Sequence, residues 1–146
     1  IKMKKIYKCI IFGFGYMGQI RFKEISKIKD LKIIGIHDPN IKSKKNIEKN
    51  LIIQNYNQIY KLKFDIAFVC TPNNVSSKII IDCLKLNKKI FCEKPPAKSI
   101  NEMNKIKKYL KKNTKLMFGF NHRFHPAVIK AKNIIDNKKF GNVITV

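Results

Sequence analysis

Short runs of consecutive apolar residues alternate along this chain with longer polar stretches in which apolar residues recur every three or four positions. The first pattern predicts strands and the second predicts amphipathic helices. Tyr7–Phe12 reads as a strand, followed by a helix over Met17–Ile28 with Ile20, Ile25 and Ile28 on one side. Leu31–His37 is nearly continuous in apolar residues, as a strand covered on both faces should be. Residues 41–51 are polar with scattered Ile and predict a helix, and Ile52–Gln54 predicts a short third strand. Ile66–Cys70 is a strong fourth strand, followed by a helix over Ser76–Leu86 in which Ile79, Ile80, Cys83 and Leu84 are apolar. Lys89–Cys92 is a fifth strand, Ser99–Lys111 a helix, Leu116–Gly119 a sixth strand and Pro126–Asp136 a last helix. After a turn at Gly141, Val143–Val146 reads as one more strand. Such alternation predicts an α/β fold with a doubly wound parallel sheet. Ligands of these sheets bind beyond the carboxyl ends of the strands.

The first strand runs straight into Gly-x-Gly-x-x-Gly, with Gly13, Gly15 and Gly18 at the glycine positions. Asp38 follows 20 positions after Gly18, at the end of the second strand. Strand, glycine loop, helix and acid at this spacing form the dinucleotide-binding fingerprint of a Rossmann-type domain. Gly13 permits the tight turn, Gly15 lets backbone approach a pyrophosphate, and Gly18 lets the helix pack closely on the strand. The loop from Gly13 to Gly18, including Phe14, Tyr16 and Met17, is therefore a candidate phosphate cradle on a helix N-terminus. Asp38 would accept hydrogen bonds from the adenosine ribose, and its charge favours NAD over NADP. Lys42, Lys44 and Lys45 follow closely and would soften that preference.

Composition changes this picture little. At 146 residues there is material for one domain. The net charge is +23, but 30 of the 32 basic residues are Lys, spread over every predicted helix and loop. Lys, Ile and Asn supply 71 of the 146 residues, a coding bias more than a basic surface selected for function. Nucleic-acid binders cluster their charge and use Arg and stacked aromatics, so no specific nucleic-acid partner is expected. Cys9, Cys70, Cys83 and Cys92 form no C-x-x-C pair and fit a reducing cytoplasm. No apolar run approaches the roughly 20 residues of a membrane span, so no membrane partner is expected.

Three further motifs fall at strand ends. Cys70-Thr71-Pro72-Asn73 follows the fourth strand, where Thr71 and Asn73 would hydrogen-bond a cofactor and Pro72 would fix the loop. Glu93-Lys94-Pro95-Pro96 follows the fifth strand. Lys94 there would hydrogen-bond a substrate hydroxyl or carbonyl and help move its proton during hydride transfer. Phe120-Asn121-His122-Arg123-Phe124-His125 follows the sixth strand, where His122, Arg123 and His125 are candidates for anionic or hydroxylated substrate. His125 is also placed to cap the last helix, and His37 reads as a strand-end residue. No Cys or carboxylate cluster accompanies these His, so a metal is not expected.

In this order, the glycine loop, Asp38, Thr71-Pro72-Asn73, Glu93-Lys94-Pro95 and Gly119-Phe120-Asn121-His122-Arg123-Phe124 resemble the N-terminal domain of the glucose-fructose oxidoreductase/inositol dehydrogenase (Gfo/Idh/MocA) family. The resemblance covers nearly the whole chain. It implies catalysis by Lys94 near the nicotinamide. It implies cofactor binding by Gly13–Gly18, Asp38, Cys70–Asn73, Glu93, Lys94 and Asn121, and substrate contacts from Lys94, His122 and Arg123. The implied activity is an NAD-dependent dehydrogenase of a sugar, cyclitol or nucleotide-sugar hydroxyl, homo-oligomeric at full length. The alternative is an NAD-binding module without catalysis. Ser76 stands where members often carry a His. The family's substrate domain and its Asp-x-x-x-His pair normally follow the last motif. The expectation is therefore a cofactor domain over residues 1–141, with 142–146 beginning a second domain otherwise absent, and a fragment inactive alone and poorly soluble.

Overall fold

Residues Cys9 to Phe12 are wholly inaccessible to solvent, so both faces of their strand are covered. In the computed structural model this strand, β1 (Tyr7–Phe12), lies inside a five-stranded parallel sheet. The structure describes residues 5–41, 47–138 and 140–144. The other strands are β2 (Leu31–His37), β3 (Ile66–Val69), β4 (Lys89–Cys92) and β5 (Leu116–Phe118). Their order across the sheet is β2-β1-β3-β4-β5. Residues along β1 alternate between two apolar layers, as the period of two requires. Ile10 and Phe12 face α2 (Asn73–Lys85) and α3 (Ile100–Lys107), meeting Ile79, Ile80, Cys83, Leu84 and Ile106. Cys9 and Ile11 face the other way, toward Phe14 and Ile25 of the segment carrying α1 (Tyr16–Ile25).

The expected parallel sheet with intervening helices holds, with differences in several elements. The predicted third strand at Ile52–Gln54 is reduced to a single parallel bridge between Ile52 and Ile36 of β2. Ile53 instead turns inward, its amide donating to the Ile36 carbonyl at 2.9 Å and its side chain packing with Phe12 and Ile59. Of the helix predicted over 41–51, the described residues include a 3-10 turn at Lys49–Leu51; residues 42–46 lie outside the described ones. The helix after β3 starts three residues earlier than predicted, at Asn73. The helix before β5 ends at Lys107, four residues short of Lys111. Ser99 caps that helix, its hydroxyl accepting from the Glu102 amide at 3.3 Å. Val143 and Ile144 are exposed and outside any strand, and the rest of that predicted strand lies outside the described residues.

The last helix, α4 (Pro126–Asp136), matches its predicted bounds but buries none of its residues. His125 caps it, Nδ1 accepting from the Ala127 amide at 3.3 Å. Among the described residues no helix is long and apolar enough to cross a membrane. Ile80 is fully buried at the centre of the larger layer. Ile80→Ala is expected to lower unfolding free energy by about 2–5 kcal/mol, read from urea midpoints at unchanged m-value.

Candidate functional site

The chain passes from β1 to β2 on one side of the sheet, then crosses to β3 on the other side of β1. The carboxyl ends of β1 and β3 therefore open a crevice at the point where strand order reverses. A cleft of ≈ 650 Å³ occupies it. The glycine turn lines one wall with Gly13, Gly15, Tyr16 and Met17, and Asp38 stands at its rim. Cys70, Thr71 and Pro72 line the opposite wall, and Glu93 and Lys94 close the end beyond β4.

The three glycines have separate physical reasons. Gly13 has φ +83°, and a Cβ there would lie 2.7 Å from the Cys70 carbonyl oxygen. A Cβ on Gly18 would collide with the Gly13 carbonyl. Both are demanded by the protein's own packing. Gly15 is different: no protein atom lies within 4 Å of where its Cβ would be. Its bare backbone faces the open cleft at the N-cap of α1, where no side chain caps the helix and the first turn holds no acid. The first amides of a helix lack internal partners and favour an anion.

Asp38 is held in place by two main-chain donors. Phe14 N–H donates to Oδ2 at 2.6 Å and Asn40 N–H to Oδ1 at 2.7 Å. Beyond Asp38 a second, mostly apolar recess of ≈ 230 Å³ is lined by His37, Pro39, Tyr56, Thr71, Val75 and Ile79, with Lys78. His37 packs its ring against Tyr56 and Phe12, and its Nδ1 lies 2.9 Å from the Ile53 carbonyl. The Tyr56 hydroxyl donates to Asp82 at 2.8 Å, and burial together with that bond pushes its pKa well above the ordinary phenol value.

Ser76 does not face the cleft. It is buried, and its hydroxyl sits 3.1 Å from the Thr71 carbonyl, 3.0 Å from the Pro72 carbonyl and 3.0 Å from Thr71 Oγ1. It therefore fastens the Thr71-Pro72 turn from behind. The Cys70 thiol borders the cleft, but burial and then the nearby Glu93 charge push it up to about 12. A thiol held protonated in this way is a poor nucleophile.

Glu93 is 9% exposed, and Arg21 of α1, which is not part of the cleft lining, reaches it. Arg21 Nε donates to Glu93 Oε1 at 2.6 Å, and the guanidinium lies 4.7 Å from the Phe91 ring centroid. Lys94 is exposed at the cleft wall, and the Lys94–Pro95 peptide is cis. Arg21 was missed by motif reading. The signal available was that it is one of two Arg among 32 basic residues.

Several sequence candidates stand outside the cleft wall. Phe14 and Gly18 are buried beneath the turn, where Phe14 contributes its amide to Asp38. Asn73 starts α2 but does not line the cleft, whereas its neighbours Asn74 and Val75 do. Asn121, His122 and Arg123 form an exposed 3-10 turn after β5 that is not part of the cleft lining. Among the described residues no group of three or more His, Cys, Asp or Glu is placed to hold a metal ion.

Residues 7–122 match a family described as an oxidoreductase family with an NAD-binding Rossmann fold, GFO_IDH_MocA. The chain belongs to the Gfo/Idh/MocA oxidoreductase family. Uncharacterized oxidoreductase YrbE of Bacillus subtilis is 32% identical over 137 residues, spanning 90% of this chain and 40% of YrbE. Myo-inositol 2-dehydrogenase of Thermotoga maritima is 27% identical over 137 residues, 90% of this chain and 41% of that protein. The fold is shared with scyllo-inositol dehydrogenase from Lactobacillus casei, solved with bound cofactor NAD(H) and scyllo-inositol. The TM-score is 0.79 at 24% identity, over 94% of this chain and 43% of that one. The chain thus spans about two-fifths of the length of these Gfo/Idh/MocA relatives.

The two kinds of glycine separate experimentally. Gly13→Ala is expected to cost more than about 2 kcal/mol of stability, from backbone strain and the clash with Cys70. Gly15→Ala should cost at most about 1 kcal/mol, since only N-cap preference changes. Thermal and urea unfolding of the two variants measure this.

Proposed function

We propose that the cleft binds NAD and that this chain is the cofactor domain of a dehydrogenase acting on a hydroxyl or keto group of a sugar, cyclitol or nucleotide sugar. The observation that carries the reading is the uncapped start of α1 beside a Cβ-free Gly15 facing open space, with a fixed carboxylate at the rim. Amides of Gly15, Tyr16 and Met17 would hold the pyrophosphate. Asp38 would accept from the adenosine ribose hydroxyls, for which its lone pairs not used by Phe14 and Asn40 remain. The recess beyond it, with Thr71, Val75 and Ile79, suits a flat, mostly apolar adenine.

A carboxylate fastened by two amides cannot swing away from a 2′-phosphate, which favours NAD over NADP. Cys70, Thr71, Pro72 and Glu93 would form the wall along the nicotinamide half, with Asn73 and Asn121 as outer cofactor contacts. The bound nicotinamide supplies the hydride chemistry. Lys94 would hydrogen-bond the reacting substrate oxygen and share its proton as that oxygen changes between hydroxyl and carbonyl. His122 and Arg123 would contact substrate from the segment after β5. Residues 1–141 are read as the cofactor domain and 142–146 as the approach to a substrate domain, in keeping with relatives more than twice as long. The complete enzyme would be a cytoplasmic homo-oligomer, inactive when reduced to this domain.

NADH fluorescence titration tests the reading. Binding in the range of about 1–100 μM is expected, with NADPH about tenfold weaker. Asp38→Asn should narrow that gap to about threefold by removing the charge. Gly15→Ala should weaken NADH about tenfold or more while remaining folded. A parent protein that binds neither dinucleotide at millimolar concentration overturns the proposal. In the enzyme complete with its substrate domain, Lys94→Ala should lower kcat about 100-fold or more, the scale of a lost acid–base group, with NADH affinity within about threefold.

A further inference from the structure

Glu93 and Lys94 are neighbours in sequence at the end of the cleft, yet they are not partners. The Glu93 side chain is 10% exposed and its Oε1 accepts the Arg21 Nε–H at 2.6 Å, with Arg21 Nη2 in ion-pair contact at 2.5 Å. Its other oxygen, Oε2, is pressed against Gly119, where a Cβ would lie only 2.7 Å away. Its amide donates to the Val69 carbonyl at 2.8 Å, which continues the β3–β4 ladder to the cleft. The Arg21 guanidinium is sandwiched between this carboxylate and the face of Phe91, and Nη2 is buried with no directed hydrogen bond. Among the described residues Lys94 has no ion-pair partner, and its side chain is exposed beside the cleft.

We propose that Arg21 is a positioning residue: it holds the Glu93 carboxylate down between Phe91 and Gly119, so that the adjacent Lys94 ammonium stays unpaired and free to meet a substrate oxygen. The inference rests on the reading of Lys94 given above. A planar guanidinium is required because it must bond a carboxylate edge-on and lie against an aromatic face at once, which an ammonium cannot do. Arg21 projects from α1, the helix whose first amides face the cleft. The same helix therefore carries both the phosphate end and the support of the Lys94 end. Without Arg21 a buried carboxylate loses its counter-charge, and Lys94, its neighbour in sequence, is a cation that could replace it.

The rate of Lys94 acetylation, read by peptide mass mapping against exposed Lys130 on α4, reports whether that amine is free. NADH titration of the same samples tests the cofactor reading separately. Arg21→Met is expected to slow Lys94 acetylation by about three- to tenfold, because a new carboxylate partner favours the protonated, unreactive amine. Adding Glu93→Gln to Arg21→Met should restore the parent rate to within about twofold, since no carboxylate is left to capture Lys94. Arg21→Lys, which keeps charge but not the fork, should fall between. A purely structural role would not be rescued by removing a second charged group. An unchanged Lys94 rate in folded Arg21→Met, or a slowed rate that Glu93→Gln does not restore, overturns the inference. If Arg21→Met alone fails to fold, a folded double variant with the parent rate supports it and an unfolded double variant overturns it. If the parent binds no NADH, the cofactor reading falls, and the positioning claim is decided by the acetylation rates alone.

Discussion

Three backbones meet without a side chain between them where Gly13, Gly18 and Cys70 come together, and the site depends on that contact. Gly18 brings α1 against the Gly13 carbonyl, and Gly13 brings the turn against the Cys70 carbonyl at the end of β3. Any Cβ at either glycine would push the helix or the strand end outward. With the contact made, the start of α1 is aimed along the crevice between β1 and β3. Phe14 N–H falls 2.6 Å from Asp38, so the glycine turn and the end of β2 are tied by a charge-assisted bond. Close packing of backbone, rather than any one polar group, sets the geometry into which the polar groups are delivered.

The acids of this very basic chain show how that geometry is held. Nine Asp and Glu face 32 Lys and Arg. Several of the nine are placed where the fold needs a fixed acceptor. Asp38 takes two amides at the cleft. Asp65 accepts the Lys8 amide at 2.9 Å beside β1. Asp82 joins Tyr56 and Lys78 at 2.8 and 2.7 Å behind the apolar recess. Glu93 takes Arg21 under the Lys94 turn. Exposed pairs such as Lys27–Glu24 and Lys132–Asp136 contribute little to stability. The excess Lys are left as solvated surface, which agrees with their even spread along the sequence.

Strands were more legible than helix ends. β1, β2 and β4 match their predicted bounds because buried parallel strands appear as unbroken apolar runs. The helices before β4 and β5 shifted by several residues because their ends are set by caps and turns, whose polar residues resemble the surrounding loop. The third strand was misread: Ile52 and Ile53 look like a strand, but Ile53 is drawn into the core beside Phe12, leaving one bridge. α4 was placed correctly along the chain, yet periodicity could not show that none of its residues would be buried among these 146.

The glycine spacing, Asp38 and the strand-end motifs were readable directly, because a phosphate cradle needs particular residue types at particular intervals along one strand–turn–helix unit. These local requirements determined the class of fold and the wall of the cleft. Relations between distant segments were not encoded in any interval. Arg21 and Glu93 are 72 residues apart and meet only because the folded sheet brings the end of β4 within reach of the Arg21 side chain on α1. Ser76, which stands where family members often carry a His, is an internal fastener of the Thr71-Pro72 turn, a role no spacing announced. Thr71 and Asn73 looked equivalent, but only Thr71 lines the cleft. Which side of a turn or helix faces the crevice is decided by packing against the sheet, a property of the assembled layers and not of any single stretch of sequence.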